Sequence, residues 1–200
     1  MKKIFLLSGV LDSTINLGLE LENGKANEME CLTFDYGQRH QREIESARCV
    51  AESYGLKHKV MEAKFFEGCA LVGDEELENG YSKTAIVPNR NMVFLSIAGA
   101  YALQTGARCV IWSAIKDDAE IFKDCRPEFL KNINCTLAPL GVEVHAPIIE
   151  WTKKKLVKEA IEKGIAFSNS WSCYRGEKEP CGECGACLLR EEAISGSYSI

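Results

Sequence analysis

Apolar and polar positions alternate between two periods along this chain. Lys3 to Leu7 is a short apolar run, and Glu30 to Asp35 and Lys57 to Met61 repeat the strand pattern further on. Arg108 to Ile115 reads as a buried strand and Glu143 to Ile149 as another. Between them the period becomes helical. Asp12-Ser13-Thr14 offers a cap for a helix that runs to about Glu22 and breaks at Asn23-Gly24. From His40 to Tyr54, residues Ile44, Ala47, Val50, Ala51 and Tyr54 share one face, and Gly55 closes the segment. Asn91 to Gln104 is apolar nearly all round, which predicts a buried helix ended by Gly106. Pro127 opens a helix to about Leu137. Thr152 caps one whose stripe is Leu156, Val157, Ala160 and Ile161, ended by Gly164. Glu67 to Thr84 is polar and glycine-bearing, a long loop.

Strands and helices therefore alternate to about residue 165, which predicts an α/β fold: a doubly wound parallel sheet of the Rossmann-like kind. From Phe167 onward the rhythm fails. The expected organisation is a nucleotide-binding domain over 1–166 and a four-cysteine segment over 167–200 packed on it.

Composition narrows the class. The 200 residues are 46% hydrophobic and 26% charged, enough to bury a core. A formal charge of −5 argues against a broad nucleic-acid footprint. No apolar run reaches the roughly 18 residues of a membrane span. The opening Met1-Lys2-Lys3 and Ile4 to Leu7 is too short for a signal peptide. A soluble, cytoplasmic protein is the expectation.

The ten cysteines are the anomaly. Six are scattered through apolar or helical surroundings, as small buried hydrophobes are. Cys173, Cys181, Cys184 and Cys187 crowd together with the spacing x7, x2, x2. Four thiolates around one ion make a closed structural zinc site, and Gly176, Gly182 and Gly185 let the backbone wrap it. An iron–sulfur cluster and a pair of disulfides are the competing readings. At the other end, the strand Lys3–Leu7 leads into Ser8-Gly9-Val10-Leu11-Asp12-Ser13-Thr14 and a helix. Such a turn aims backbone N–H groups and a helix N-terminus at an anion, and Ser8, Ser13 and Thr14 add hydroxyls. Asp12 beside an anion makes sense with a bridging divalent cation. The alternative is an ordinary turn capped by Asp12 or Ser13.

Taken together, these segments resemble a known family. Ser8-Gly9-x-x-Asp12-Ser13 is similar to the SGGxDS pyrophosphate loop of the N-type ATP pyrophosphatases. Further segments resemble the 7-cyano-7-deazaguanine synthase (QueC-type) family within them: Phe34-Asp35-Tyr36-Gly37-Gln38-Arg39-His40, Val87-Pro88-x-Arg90-Asn91, Asp124-Cys125-Arg126-x-Glu128-Phe129, and Ser172-Cys173-Tyr174 with Cys181-Gly182-x-Cys184-x-x-Cys187-x-x-Arg190. The resemblance covers essentially the whole chain. It implies an adenine nucleotide alpha hydrolase-like sheet with a zinc-bound C-terminal loop, usually in a homodimer, with no nucleic-acid or membrane partner. It implies a carbon–nitrogen ligase that converts 7-carboxy-7-deazaguanine and ammonia to the nitrile. ATP with Mg²⁺ adenylates the carboxylate, ammonia displaces AMP to give the amide, and a second adenylation permits loss of AMP.

The resemblance also implies roles. Ser8, Gly9, Val10, Leu11, Asp12, Ser13, Thr14 and Arg39 would seat the nucleotide. Asp12 (as Mg²⁺ partner), Lys153 and Arg90 would serve the reacting phosphates. Asp118, Asp124 and Arg126 would hold the deazapurine, whose adjacent N–H donors a carboxylate can accept. Cys173, Cys181, Cys184 and Cys187 would hold zinc. His40, like Arg39, would lie near nucleotide or substrate. The competing readings are a solvated face for Lys153 with its neighbours Lys154, Lys155 and Lys158, a local ion pair or helix cap for Asp124 and Arg126, and a helix opening for Arg39 and His40, which is preferred for His40.

The sequence departs from the family where function lives. Val10 replaces the second loop glycine, so the loop must adjust or pyrophosphate binding weaken if a glycine conformation is needed. Asn89 replaces the glycine of Pro-Gly-Arg-Asn, a milder change because Asn tolerates the left-handed region. Ser113 follows the bulky Trp112 where the family has glycine, and Ile121-Phe122-Lys123 replaces Gly-Tyr-Pro, which would reshape the base pocket. The chain also ends soon after the cysteine loop. An enzyme stopping at the amide, a non-catalytic nucleotide- or deazapurine-binding homologue and a tRNA thiolase are the alternatives. The thiolase is disfavoured by the metal-like cysteine loop and by the lack of an evident basic tRNA-binding surface.

Overall fold

The computed structural model describes residues 1–24, 28–67, 69–73 and 86–197. Five strands form one parallel sheet in the order β3-β2-β1-β4-β5. They are β1 (Lys3–Leu6), β2 (Met29–Asp35), β3 (Lys57–Glu62), β4 (Cys109–Ile111) and β5 (Glu143–His145). The helices are α1 (Leu11–Asn23), α2 (Arg42–Ser53), α3 (Arg90–Thr105), the single turn α4 (Asp118–Ile121), α5 (Pro127–Leu137), α6 (Lys153–Glu162) and α7 (Gly185–Ser197).

Successive side chains of a strand point to opposite faces, and here both faces are covered. On one, Ile4, Leu32, Phe34, Val110 and Val144 pack with Leu95, Ala98 and Ala102 of α3 and Ile133 and Leu137 of α5. On the other, Phe5, Leu7, Cys31 and Ile111 meet Leu17 of α1 and Ala47, Val50 and Ala51 of α2. A third cluster ties Leu11, Ile15 and Leu19 of α1 to Leu156, Val157 and Ala160 of α6 and Ala193 of α7. Burying Phe5 and Ile4 completely contributes about 1.5–3 kcal/mol each. The strand order reverses between β1 and β4. In open α/β sheets the crevice beyond the carboxyl ends of those two strands is where ligands bind.

Several expectations need correction. Arg108 to Ile115 pairs as a strand only over Cys109–Ile111, and Glu143 to Ile149 only over Glu143–His145. The remaining apolar residues are buried by turns. Pro147 has no N–H to give a ladder, and Ile149 N and Trp151 N donate instead to the carbonyls of Ala146 and Ile148. Helix α3 is not covered all round, because Met92 and Leu103 are about 40% exposed on its outer side. Neither Asp12 nor Ser13 caps α1. That helix starts at Leu11 from an extended Val10 with no side-chain cap bond. Helix α7 was not predicted. It opens inside the glycine-rich cysteine segment, where the hydrophobic period is weak. Of the predicted long loop, Gly68 and 74–84 lie outside the described residues.

Candidate active site

The carboxyl end of β1 turns into α1 through Ser8, Gly9 and Val10. Gly9 has φ +81, and a Cβ there would stand 1.9 Å from the carbonyl oxygen of Glu43 in α2. Only glycine fits that approach. Val10, by contrast, has φ −79 and ψ 168, ordinary extended backbone. The glycine conformation expected at this place is not used, so the valine introduces no backbone strain. Ser8 Oγ and Ser13 Oγ lie 2.9 Å apart, and Ser13 Oγ donates to the Val10 carbonyl at 3.2 Å. Thr14 Oγ1 is buried with no partner. Val10, Asp12 and Ser13, at the start of α1, line the crevice at the positive end of the helix dipole. Asn16 Nδ2 donates to Ser113 Oγ at 2.9 Å and fastens α1 to the chain leaving β4.

A cavity of about 220 Å³ opens at this switch point, walled by Ser8, Val10, Asp12, Ser13, Arg90, Asp118 and Lys153 among others. At its floor Lys153 Nζ donates to both carboxylate oxygens of Asp12, at 2.7 and 2.6 Å, with both side chains about nine-tenths buried. Lys153 is thus not part of a solvated lysine face. Burial works against its charge, but Asp12 and Asp118 outweigh it and hold the ammonium above its ordinary range. The backbone places it: Lys153 N donates to Asp117 Oδ2 at 2.7 Å, and Thr152 Oγ1 accepts from Lys155 N at 3.2 Å, so two side chains cap α6. Asp118 faces the same ammonium across the wall. Burial pushes its carboxyl up to about 6, with Lys153 pulling down and Asp12 and Asp117 pushing further up.

Arg90 begins α3 behind Asn89, whose φ of 53 is the left-handed value expected of that substitution. Its guanidinium donates to Tyr36 Oη at 3.0 Å and lies over the Tyr36 ring. Trp112 and Phe122, both departures from the family pattern, stand on the cavity wall with Phe94 and Tyr174. These rings make that part of the wall apolar and aromatic.

Other predicted residues lie elsewhere. Arg39 donates to the Gly73 carbonyl and is off the wall. Asp124 accepts from Asn91 N at 3.2 Å and caps α3. Arg126 is exposed and donates from Nε to the Ala119 carbonyl at 2.9 Å. Both residues hold helix ends, the competing reading, and neither lines the cavity. Gly9, Leu11 and Thr14 shape the loop from behind. The sequence reading weighs a place near nucleotide or substrate for His40 but prefers a helix opening, and gives Glu43 and Tyr36 no role; the three are buried on the wall together. The spacing Tyr36-x3-His40-x2-Glu43 was visible, but a helix start explains it equally well.

The four sulfurs of Cys173, Cys181, Cys184 and Cys187 lie within 4.8 Å of one another, a donor set that fits a soft metal ion. All ten cysteines are free thiols. Burial opposes the Cys181 thiolate, yet the N–H groups of Glu183 and Cys184 bring it down to about 7. This cluster is joined to the Ser8–Val10 turn. Trp171 N donates to the Gly9 carbonyl at 2.9 Å, Trp171 Nε1 donates to the Cys173 carbonyl at 2.9 Å, and Arg190 Nη1 donates to Ser170 Oγ at 2.7 Å and Ser172 Oγ at 3.3 Å.

Comparison with known proteins agrees with this architecture. A family model described as queuosine biosynthesis protein QueC matches residues 2–197. The chain is 37% identical to 7-cyano-7-deazaguanine synthase 1 of Colwellia psychrerythraea, over 96% of this chain and 93% of that protein. It is 40% identical to the 7-cyano-7-deazaguanine synthase of Archaeoglobus fulgidus, over 97% and 86%. Among solved structures, the U34-tRNA thiolase NcsA of Methanococcus maripaludis, described with its [4Fe-4S] cluster, superposes with TM-score 0.56 at 16% identity, over 98% of this chain and 70% of that one. The NH3-dependent NAD synthetase of Campylobacter jejuni gives 0.52 at 17% identity, over 82% and 64%. At such identity these two speak for the fold alone.

Proposed function

The chain belongs to the queuosine biosynthesis protein QueC family, and from that membership we infer that it makes 7-cyano-7-deazaguanine from 7-carboxy-7-deazaguanine, ammonia and ATP. It is a carbon–nitrogen ligase. A carboxylate is a poor electrophile at neutral pH, and its reaction with a triphosphate brings anion to anion. The barrier is therefore mostly charge, which preorganised donors lower most. The observation that carries the reading is the buried Lys153–Asp12 pair set against the first turn of α1 in the crevice between β1 and β4.

The division of labour follows from position. The N–H groups of Leu11, Asp12 and Ser13, with the Ser8 and Ser13 hydroxyls, seat the pyrophosphate. Lys153 turns from Asp12 to the phosphate oxygens, and Asp12, released, is the carboxylate that would hold Mg²⁺; the ion supplies charge neutralisation on the phosphates. Arg90 adds a fixed cation at the far wall. The aromatic slot of Trp112, Phe122 and Tyr174 stacks the flat rings, and Asp118 accepts from the guanine-type N–H edge.

The four cysteines would hold zinc, which supplies structure and, being closed, no chemistry. Zinc–sulfur bonds of about 2.3 Å set tetrahedral sulfurs about 3.8 Å apart, and Cys181 Sγ and Cys187 Sγ are 4.0 Å apart here. A four-iron cluster spreads its thiolates over separate irons and wants a wider set. Residues 1–166 are the nucleotide-binding part and 167–200 the metal-bound wall. The protein works in the cytoplasm, where thiols stay reduced, on small molecules and not on nucleic acid. It pairs as a homodimer, for which Met92 and Leu103 on the outer side of α3 supply apolar surface.

Incubation with 7-carboxy-7-deazaguanine, ammonium, ATP and Mg²⁺ tests the reading. AMP, pyrophosphate and the nitrile are expected. ADP in place of AMP, or no turnover, overturns it, and the amide as final product would identify the shorter reaction.

A further inference from the structure

Converting ammonia to a nitrile strips every hydrogen from the nitrogen. None of the residues assigned above takes a proton. Among the residues that line the cavity, His40 is a group that can do so. His40 is 2% exposed. Its Nε2 lies 3.2 Å from Glu43 Oε2 and 3.4 Å from Tyr36 Oη. A carboxylate only accepts, so Nε2 carries the ring hydrogen and Nδ1 is left with a bare lone pair. Nδ1 is buried and has no partner. A buried acceptor without a donor is costly, which marks it as awaiting one.

The surroundings fix this tautomer and this place. Gln38 Nε2 donates to Glu43 Oε1 at 3.0 Å, so the carboxylate is oriented from its other oxygen. Arg90 donates to Tyr36 Oη, and the Tyr174 ring stands edge-on to the imidazole at 5.7 Å. These groups, with Glu43, are what face His40. The backbone of Glu43 packs on the Ser8–Val10 turn, since its main-chain carbonyl is the atom that a side chain on Gly9 would strike.

We propose that His40, oriented by Glu43, is the base that takes protons from the reacting nitrogen. The inference rests on the synthase reading above. In the first half, the ammonia lone pair attacks the carbonyl carbon of the acyl adenylate, the C–O bond to AMP breaks with its electrons leaving on AMP, and an N–H proton passes to Nδ1. In the second half, the amide oxygen attacks the α-phosphorus of ATP, pyrophosphate leaves and one N–H proton passes to Nδ1, giving the O-adenylated imidate; the C–O bond to AMP then breaks with its electrons leaving on AMP while the last N–H proton passes to Nδ1 and the C≡N bond forms. Glu43 stabilises the imidazolium each time, and solvent takes the proton between steps. His40 acts on nitrogen and not on the phosphates, so the first adenylation, that of the carboxylate, is spared.

The test separates the two. His40→Gln is assayed with 7-carboxy-7-deazaguanine, ATP and Mg²⁺ for exchange of pyrophosphate into ATP, for amide and nitrile with ammonium, and for hydroxamate with hydroxylamine, which is already a free base at neutral pH. Exchange and hydroxamate should stay within about threefold of wild type, while amide and nitrile fall by about 100- to 10,000-fold. Glu43→Gln leaves the imidazole in place. Its amide oxygen stays on Gln38, its NH2 meets Nε2, and the hydrogen moves to Nδ1; the same selective loss of about 100-fold or more is expected. Amide formation by either variant at near wild-type rate overturns the proposal. So does parallel loss of exchange, hydroxamate and amide in a Glu43→Gln protein that melts like wild type. Absence of exchange in the wild type would instead overturn the synthase reading.

Discussion

Lys153 reaches back across 141 residues to grip both carboxylate oxygens of Asp12, at 2.7 and 2.6 Å, in a nearly dry setting. A buried ion pair contributes little by itself, but removing one partner strands the other. Lys153→Met should destabilise the protein by about 3–5 kcal/mol in urea melts. The double variant Asp12→Asn, Lys153→Met should recover most of that stability and none of the pyrophosphate exchange. The pH sign follows from the raised ammonium. Its stabilisation is complete below the ordinary lysine value of 10.5 and is lost only as pH rises through the higher folded value. The gap between wild type and Lys153→Met should therefore be flat through neutrality and close only in strong alkali.

Asp118 behaves in the opposite sense from an ordinary carboxylate. Its folded value is up at about 6 from 3.8. Its contribution is thus most favourable below pH 3.8 and is lost as pH rises through about 6. Asp118→Asn should stabilise the protein at pH 8 relative to pH 4 by about 1–3 kcal/mol, read as a difference in melting temperature from wild type at each pH. If Asp118 reads the deazapurine edge, the same change raises KM for that substrate and leaves KM for ATP alone.

The turn between β1 and α1 yields a contrast between neighbours. Val10 already sits in ordinary extended backbone. Val10→Gly should therefore bring no gain in activity and lose about 0.5–1 kcal/mol to backbone freedom. Gly9→Ala puts a methyl 1.9 Å from the Glu43 carbonyl. It must push α2 off the loop, and it should cut pyrophosphate exchange by at least about tenfold with a measurable fall in melting temperature.

The order of elements was legible because period-2 and period-3.6 patterns rarely mislead over ten residues. The ends of β4 and β5 were not, since Trp112 to Ile115 and Ala146 to Ile149 are apolar for packing and not for pairing. Motif order reached Asp12, Lys153 and Arg90, which share the cavity. It overreached at Asp124 and Arg126, because one motif mixes wall residues such as Cys125 with residues that only cap helices. His40 reads as a helix opening because what sets it apart is an unpartnered atom, which no spacing reveals. Arg126→Ala should accordingly leave both KM values within about twofold. Asp124→Ala should uncap α3 and cost about 1 kcal/mol of stability.

The cysteine cluster should act on nucleotide binding without touching nucleotide. The path is short: Cys173 follows Ser172 on the wall, the Cys173 carbonyl holds the Trp171 indole, and Trp171 N holds the Gly9 carbonyl at 2.9 Å. Elemental analysis should find about one zinc and no stoichiometric iron per chain. Cys184→Ser should release the metal and lower the melting temperature by about 10 °C, the equivalent of several kcal/mol at this size. Loss of that anchor leaves the Gly9 carbonyl unheld, so ATP affinity by titration calorimetry should fall together with the metal content. Unchanged ATP affinity in a stable, metal-free protein would show that the cysteine segment is only a fold clamp and that the phosphate loop stands without it.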